Sequence, residues 1–204
     1  MSSRVSSLAL GLAWMSAVAC EGGREPAPQA RDPGPVQQEP LDSGDLRGRD
    51  LRAVALGSMR LEGVRMDKAD LRGVELGGLS LERARLDHAR TEGLGLRGAH
   101  ARGASMRWLD LREADLREAD LREADLRGTS FVGARLEGAR MDGADLRGAD
   151  LRGVDLQGVT LSEVDLRGSQ ADAGTRWPPG FDEPLLRGVV VDGEAAKDRA
   201  LGER

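Results

Sequence analysis

Apolar residues recur along this chain with a period of five. Leu46, Leu51, Leu56 and Leu61 open the series, and Leu151, Leu156, Leu161 and Leu166 close it. Between Gly44 and Gly168 there are 25 such central positions, here called i, and all but Thr91 and Ala101 are large and apolar. Position i−2 is small or apolar, as at Ala69, Ala84, Ala114, Ala119, Val154 and Val164. Position i−1 is often Asp, i+1 often Arg, and i+2 usually Gly or Glu; the stretch Ala114–Glu123 repeats A-D-L-R-E twice.

A helix does not accommodate this period. Five residues advance a helix by about 500°, so successive leucines step by about 140° and scatter round the cylinder. A straight strand fails as well, because its side chains alternate and an odd period sends successive leucines to opposite faces. A coil of short strands and corners fits. Positions i−2 and i point inward, i−1 and i+1 point to water, and i+2 turns the chain, where Gly tolerates a tight corner. Four corners close a square coil of 20 residues, and coils stack at the strand spacing of about 4.8 Å.

This pattern resembles the pentapeptide-repeat family, whose consensus is A-[D/N]-L-x-x. The resemblance implies an all-β fold, the right-handed quadrilateral parallel β-helix. About six coils are expected, a rod of about 30 Å. The open ends of such a rod need covering. After residue 170 the period breaks at Thr175-Arg176-Trp177-Pro178-Pro179-Gly180-Phe181-Asp182. Similar segments follow the repeats in members of the family, so Trp177 and Phe181 are expected to cap the last coil. The organisation expected is a leader at 1–19, a tether at 20–43, the β-helix at 44–170, a capping segment at 171–191 and a charged tail at 192–204.

Composition agrees with a repeat architecture. Aromatic residues make up 2% of the 204-residue chain and Gly numbers 28, too few large side chains and too much Gly for an ordinary core. The N-terminus carries a different signal. Arg4 precedes an apolar run from Leu8 to Ala19, too short to span a membrane and suited to a signal peptide. Ala17-Val18-Ala19-Cys20 resembles the lipobox of bacterial lipoproteins, with Ala17 in place of the usual Leu. That resemblance implies export and lipidation at Cys20, the sole cysteine of the chain. Ala17-Val18-Ala19 also suits an ordinary signal peptidase, which would release a soluble protein. Pro26, Pro28, Pro33, Pro35 and Pro40 mark residues 21–43 as an extended tether.

Candidate chemistry is sparse. No nucleophile motif or phosphate loop is evident. His88 and His100 lack metal-ligand spacing, and no cofactor is expected. Residues 20 apart stack, so Asp125, Asp145 and Asp165 form one outward column and Arg127, Arg147 and Arg167 another. These columns read as a solvated lattice of ion pairs, each worth at most about 1 kcal/mol. Pentapeptide proteins that protect gyrase from quinolones resemble DNA in shape and charge. Here 23 acidic and 22 basic residues between Gly44 and Gln170 nearly cancel, which speaks against a DNA mimic and against a nucleic-acid partner. The run from Thr91 to Trp108 is the least regular. Thr91 and Ala101 underfill the core there, and Trp108 reads either as a compensating aromatic or as an exposed anchor for a protein partner. The function expected is a non-enzymatic scaffold or protein-interaction module at the bacterial cell envelope, held to the membrane by lipid. The alternative is a DNA-mimicking protein that binds a topoisomerase such as gyrase.

Overall fold

Every fifth residue of the repeat turns a corner, and the corners are β-turns of one kind. The N–H of the residue three beyond position i donates to the carbonyl of i, as from Ala69 to Met66 (3.0 Å), Ala119 to Leu116 (3.1 Å) and Ala149 to Leu146 (3.0 Å). Except at Ala53 and Ser58, the third residue of these turns has positive φ, 61° at Lys68 and 69° at Gly148. A positive φ at that place marks a type II turn and explains the frequent Gly. The computed structural model describes residues 44–181 and 188–192. Cys20, the leader and the tether lie outside the described residues, as does the tail beyond Asp192.

Between corners, successive coils pair in parallel with a register of 20. Asp45 pairs with Arg65, Asp125 with Asp145 and Asp150 with Gln170. The pairing is carried by bonds such as Leu121 N–H to Arg140 O (2.8 Å) and Asp125 N–H to Ala104 O (2.9 Å). Two inward residues per five-residue step fill the interior. Leu116, Leu121 and Leu126 are buried at position i, and Ala114, Ala119 and Ala124 at i−2, in one continuous apolar core.

Three of the departures from the repeat have local physical causes. In the first described coil the chain leaves the ladder after Asp50, and Leu56–Ser58 forms a 3₁₀ turn. Ala53 and Ser58 do not adopt the positive φ of later corners. A second departure lies at Thr91, where Arg90 and Asp110 do not pair. The Thr91 hydroxyl donates to the Asp110 carbonyl instead (2.7 Å), the place a backbone N–H fills elsewhere. Large buried residues, Leu94 and Leu109, stand at i−2 beside this small central residue, where most coils have Ala. Trp108, by contrast, lies outside the core.

The third departure lies at the C-terminal end of the repeats. Asp155 pairs with Arg176, a register of 21, so one extra residue is accommodated between Ala171 and Arg176. Asp172 Oδ1 gathers the slack by accepting N–H bonds from Gly153 (2.9 Å), Gly174 (2.9 Å) and Thr175 (3.1 Å). Thr175 turns inward, and its hydroxyl donates to Leu151 O (2.9 Å). The 20-residue register then returns: β1 (Gln170–Ala171) pairs in parallel with β2 (Val190–Val191). Val189 is buried there. Trp177 and Phe181 are partly buried against the core and stack on each other, with ring centroids 5.0 Å apart.

Candidate functional site at the Trp108 corner

The outer surface is stapled by a recurring Asp-x-Arg unit. Arg147 donates from its backbone N–H to Asp145 Oδ1 (3.2 Å) and from Nη2 to Oδ2 (2.5 Å). The same unit recurs at Asp50–Arg52, Asp70–Arg72, Asp120–Arg122 and Asp165–Arg167. Where the next coil again carries an Asp, the Arg also approaches it: Arg127 Nε lies 3.6 Å from Asp145 Oδ2, and Arg147 Nε 3.6 Å from Asp165 Oδ2. The columns therefore form a zipper along the stack. Bonding to Arg167 holds the Asp165 carboxyl down at about 2 against the opposing effect of burial, and Arg117 does the same for Asp115, also about 2.

Where the repeat lacks the Asp, a carboxylate from the coil below can replace it. Asp87 accepts the Ser105 hydroxyl (2.6 Å) and the Arg107 N–H (3.0 Å), and pairs with the Arg107 guanidinium. Asp142 accepts the Thr160 hydroxyl (2.5 Å) and the Ser162 N–H (3.1 Å). At Ser130-Phe131-Val132 the residue below is Arg112, and no carboxylate substitutes. An uncharged step interrupts the lattice between the Asp110–Arg112 and Asp150–Arg152 pairs.

The coil beneath that step has an unusual set of corners. Trp108, Glu113, Glu118 and Glu123 occupy its four turns with φ of 59°, 60°, 61° and 59°. A side chain in the left-handed region is held at a cost of about 1–2 kcal/mol. Each of the four leans on a Gly corner of the next coil: a Cβ on Gly133 would lie 3.3 Å from Glu113, on Gly138 3.7 Å from Glu118 and on Gly143 3.6 Å from Glu123. Arg97 and Arg102 reach up to Glu118 (3.1 Å) and Glu123 (2.6 Å).

Trp108 is the aromatic member of this girdle. It is 60% exposed, stacks on His88 (6.4 Å between centroids, 6° between planes) and covers Gly128, where a Cβ would meet its ring at 2.3 Å. Beside it opens a groove of about 460 Å³. Trp108 and Leu109 form one side and Ser130 and Val132 the floor, with the two ion pairs on either flank.

The structure thus gives each candidate residue a separate place. Trp108 lies at an outward corner, Trp177 and Phe181 at the C-terminal end, and Cys20 outside the described residues. His88 and His100 are both exposed, on different columns. The sequence reading passed over Ser130 and Val132. Reading down columns of 20 would have found them: Asp110, Ser130, Asp150 and Arg112, Val132, Arg152 each show the break.

Square coils, type II corners and a 20-residue parallel register define a quadrilateral β-helix. The chain belongs to the pentapeptide-repeat family, described as "Pentapeptide repeats", which matches residues 50–90, 96–128 and 129–168 in 8 copies. With membership comes the right-handed quadrilateral β-helix. Among solved structures, the chain is similar to a pentapeptide repeat protein from Nostoc, at 30% identity over 55% of this chain and 84% of that one, with a TM-score of 0.35. It is also similar to the pentapeptide repeat protein Rfr23 from Cyanothece, at 28% identity over 60% and 94%, with a TM-score of 0.38. A third is QnrB1, a plasmid-mediated fluoroquinolone resistance protein, at 16% identity over 67% and 71%, with a TM-score of 0.25. No curated protein matches the chain.

Proposed function

We propose that this protein is a non-enzymatic scaffold and protein-interaction module at the bacterial cell envelope, exported and anchored by lipid at Cys20. The observation that carries the interaction role is the Trp108 corner. A large aromatic is kept in a left-handed turn, exposed, beside an uncharged step between the Asp110–Arg112 and Asp150–Arg152 pairs. Neither the turn nor the core gains from a Trp there, whereas an interface does. The anchoring role rests on the apolar run Leu8–Ala19 ending at Cys20. On this reading Trp177 and Phe181 serve as the lid of the last coil. A topoisomerase-directed DNA mimic has less support, since Asp columns that are zipped to Arg columns present no phosphate-like field.

The test is fractionation of cells expressing the wild-type chain and Cys20→Ala, with the mass of the mature N-terminus read directly. A membrane-bound, lipid-modified wild type and an unmodified variant are expected. A cytoplasmic, unprocessed wild type would sink the envelope reading and make a gyrase supercoiling assay the next experiment.

A further inference from the structure

The groove beside Trp108 has a shape and charge that specify an occupant. Its floor is uncharged, and its flanks are the Asp110–Arg112 and Asp150–Arg152 pairs. In both pairs the guanidinium is the outer partner: Arg112 is 62% exposed against 35% for Asp110, and Arg152 45% against 23% for Asp150. Each carboxylate is also engaged by the backbone N–H of its Arg, at 3.2 Å in both pairs. Asp110 and Asp150 are therefore each engaged by their own Arg, with Glu92 and Glu113 also near Arg112 and Asp172 and Asp192 near Arg152. Each Arg bonds its Asp through Nε and Nη2, which leaves Nη1 directed to other partners.

Spacing narrows the choice further. Arg112 and Arg152 are two coils apart, about 9.6 Å at the strand spacing. A β-strand places same-face residues about 6.8 Å apart, which does not match. A polyproline II segment has three residues per turn and a rise of about 3.1 Å, so positions n and n+3 recur on one face at about 9.3 Å. Proline-rich segments in this conformation dock on exposed aromatic rings.

We propose that this groove binds an extended, proline-containing segment of a partner protein that carries acidic residues three positions apart. The two carboxylates meet Arg112 and Arg152, and the intervening prolines lie on Trp108 and Val132. This rests on the interaction-module reading above and names the partner chemistry of that site. It is independent of membrane anchoring: failed peptide binding with intact anchoring removes this inference alone, and failed anchoring leaves the groove untouched.

The test is calorimetric titration of the purified full chain with capped peptides containing Glu-Pro-Pro-Glu, Lys-Pro-Pro-Lys and Glu-Pro-Glu-Pro. Saturable binding of the first is expected, at least tenfold tighter than of the other two. Trp108→Ala and the double variant Arg112→Gln, Arg152→Gln should each weaken it at least tenfold. A third variant guards against misfolding: Ser130→Asp with Val132→Arg restores the lattice unit, so it should keep the thermal midpoint while abolishing binding. No saturation at millimolar Glu-Pro-Pro-Glu overturns the proposal. So does equal binding of the Lys peptide, or unchanged binding to the lattice-restored variant.

Discussion

The corner residue at i+2 is where backbone physics and function can be separated. A Gly there satisfies the left-handed turn without strain, and a Glu or Trp does not. Glu113 is the cleanest case, since it sits at φ 60° and Arg112 beside it is bonded to Asp110. Glu113→Gly is expected to stabilise the fold by about 0.5–1 kcal/mol, strain relief outweighing the added freedom of the unfolded chain. Thermal melts followed by circular dichroism would show a rise of a few degrees, and a fall would mean that Glu113 is held by an interaction stronger than its strain. The converse substitution is Gly128→Ala. Its φ is 68°, and the new Cβ would meet the Trp108 ring at 2.3 Å. It is expected to destabilise by more than Gly148→Ala, whose Cβ would meet nothing within 4 Å. Displacement of the ring would appear as altered Trp fluorescence in the first variant only.

At the scale of the five-residue element, the Asp-x-Arg staple ties one strand to its own corner and to the coil above. Its pH dependence has a definite sign. Asp45, Asp50, Asp115 and Asp165 are lowered to about 2, chiefly by hydrogen bonds from the following Arg. A carboxyl with a depressed folded pKa binds its proton less readily when folded than when unfolded. Its stabilising contribution is complete above the unfolded value of about 4 and is lost as pH falls through about 2. The thermal midpoint should therefore be flat from pH 8 to 5 and fall progressively from about pH 4 to 2. Raised salt should flatten that fall, because most of these pairs face water. A midpoint indifferent to pH down to 2 would refute the staple as a source of stability.

The element was also the part most legible in the sequence. Period five with small i−2, apolar i and Gly at i+2 leaves one geometry open, and the burial at Leu116, Ala119 and Leu121 follows from it. The departures were less legible because they arise between coils. Nothing local to Thr91 announces that its hydroxyl takes the Asp110 carbonyl, 19 residues on. The extra residue before Arg176 leaves its mark only when Asp155 is paired with it. The Ser130–Val132 gap shows only when the chain is read down columns of 20, since each residue alone looks like ordinary variation in an outward position.

At the scale of the repeat unit, each coil touches only its neighbours, so stability is a chain of nearest-neighbour terms and the ends govern fraying. Trp177 and Phe181 lie at such an end, partly buried and stacked at 5.0 Å. Trp108 lies mid-stack with its side chain turned outward. The two tryptophans should therefore respond oppositely to truncation. Trp177→Ala removes apolar area from the last coil and is expected to cost about 1–3 kcal/mol, less than a fully buried aromatic would. Trp108→Ala should leave the midpoint unchanged or slightly raised. Hydrogen exchange gives the sharper reading. In Trp177→Ala, the amides of Gln170, Arg176 and Val190, which bond across the last coils, should lose protection, while those of Leu116, Leu121 and Leu126 keep theirs. Uniform loss of protection along the whole stack would mean that the coils unfold as one unit, and that the end aromatics support the entire repeat domain and not only its final layer.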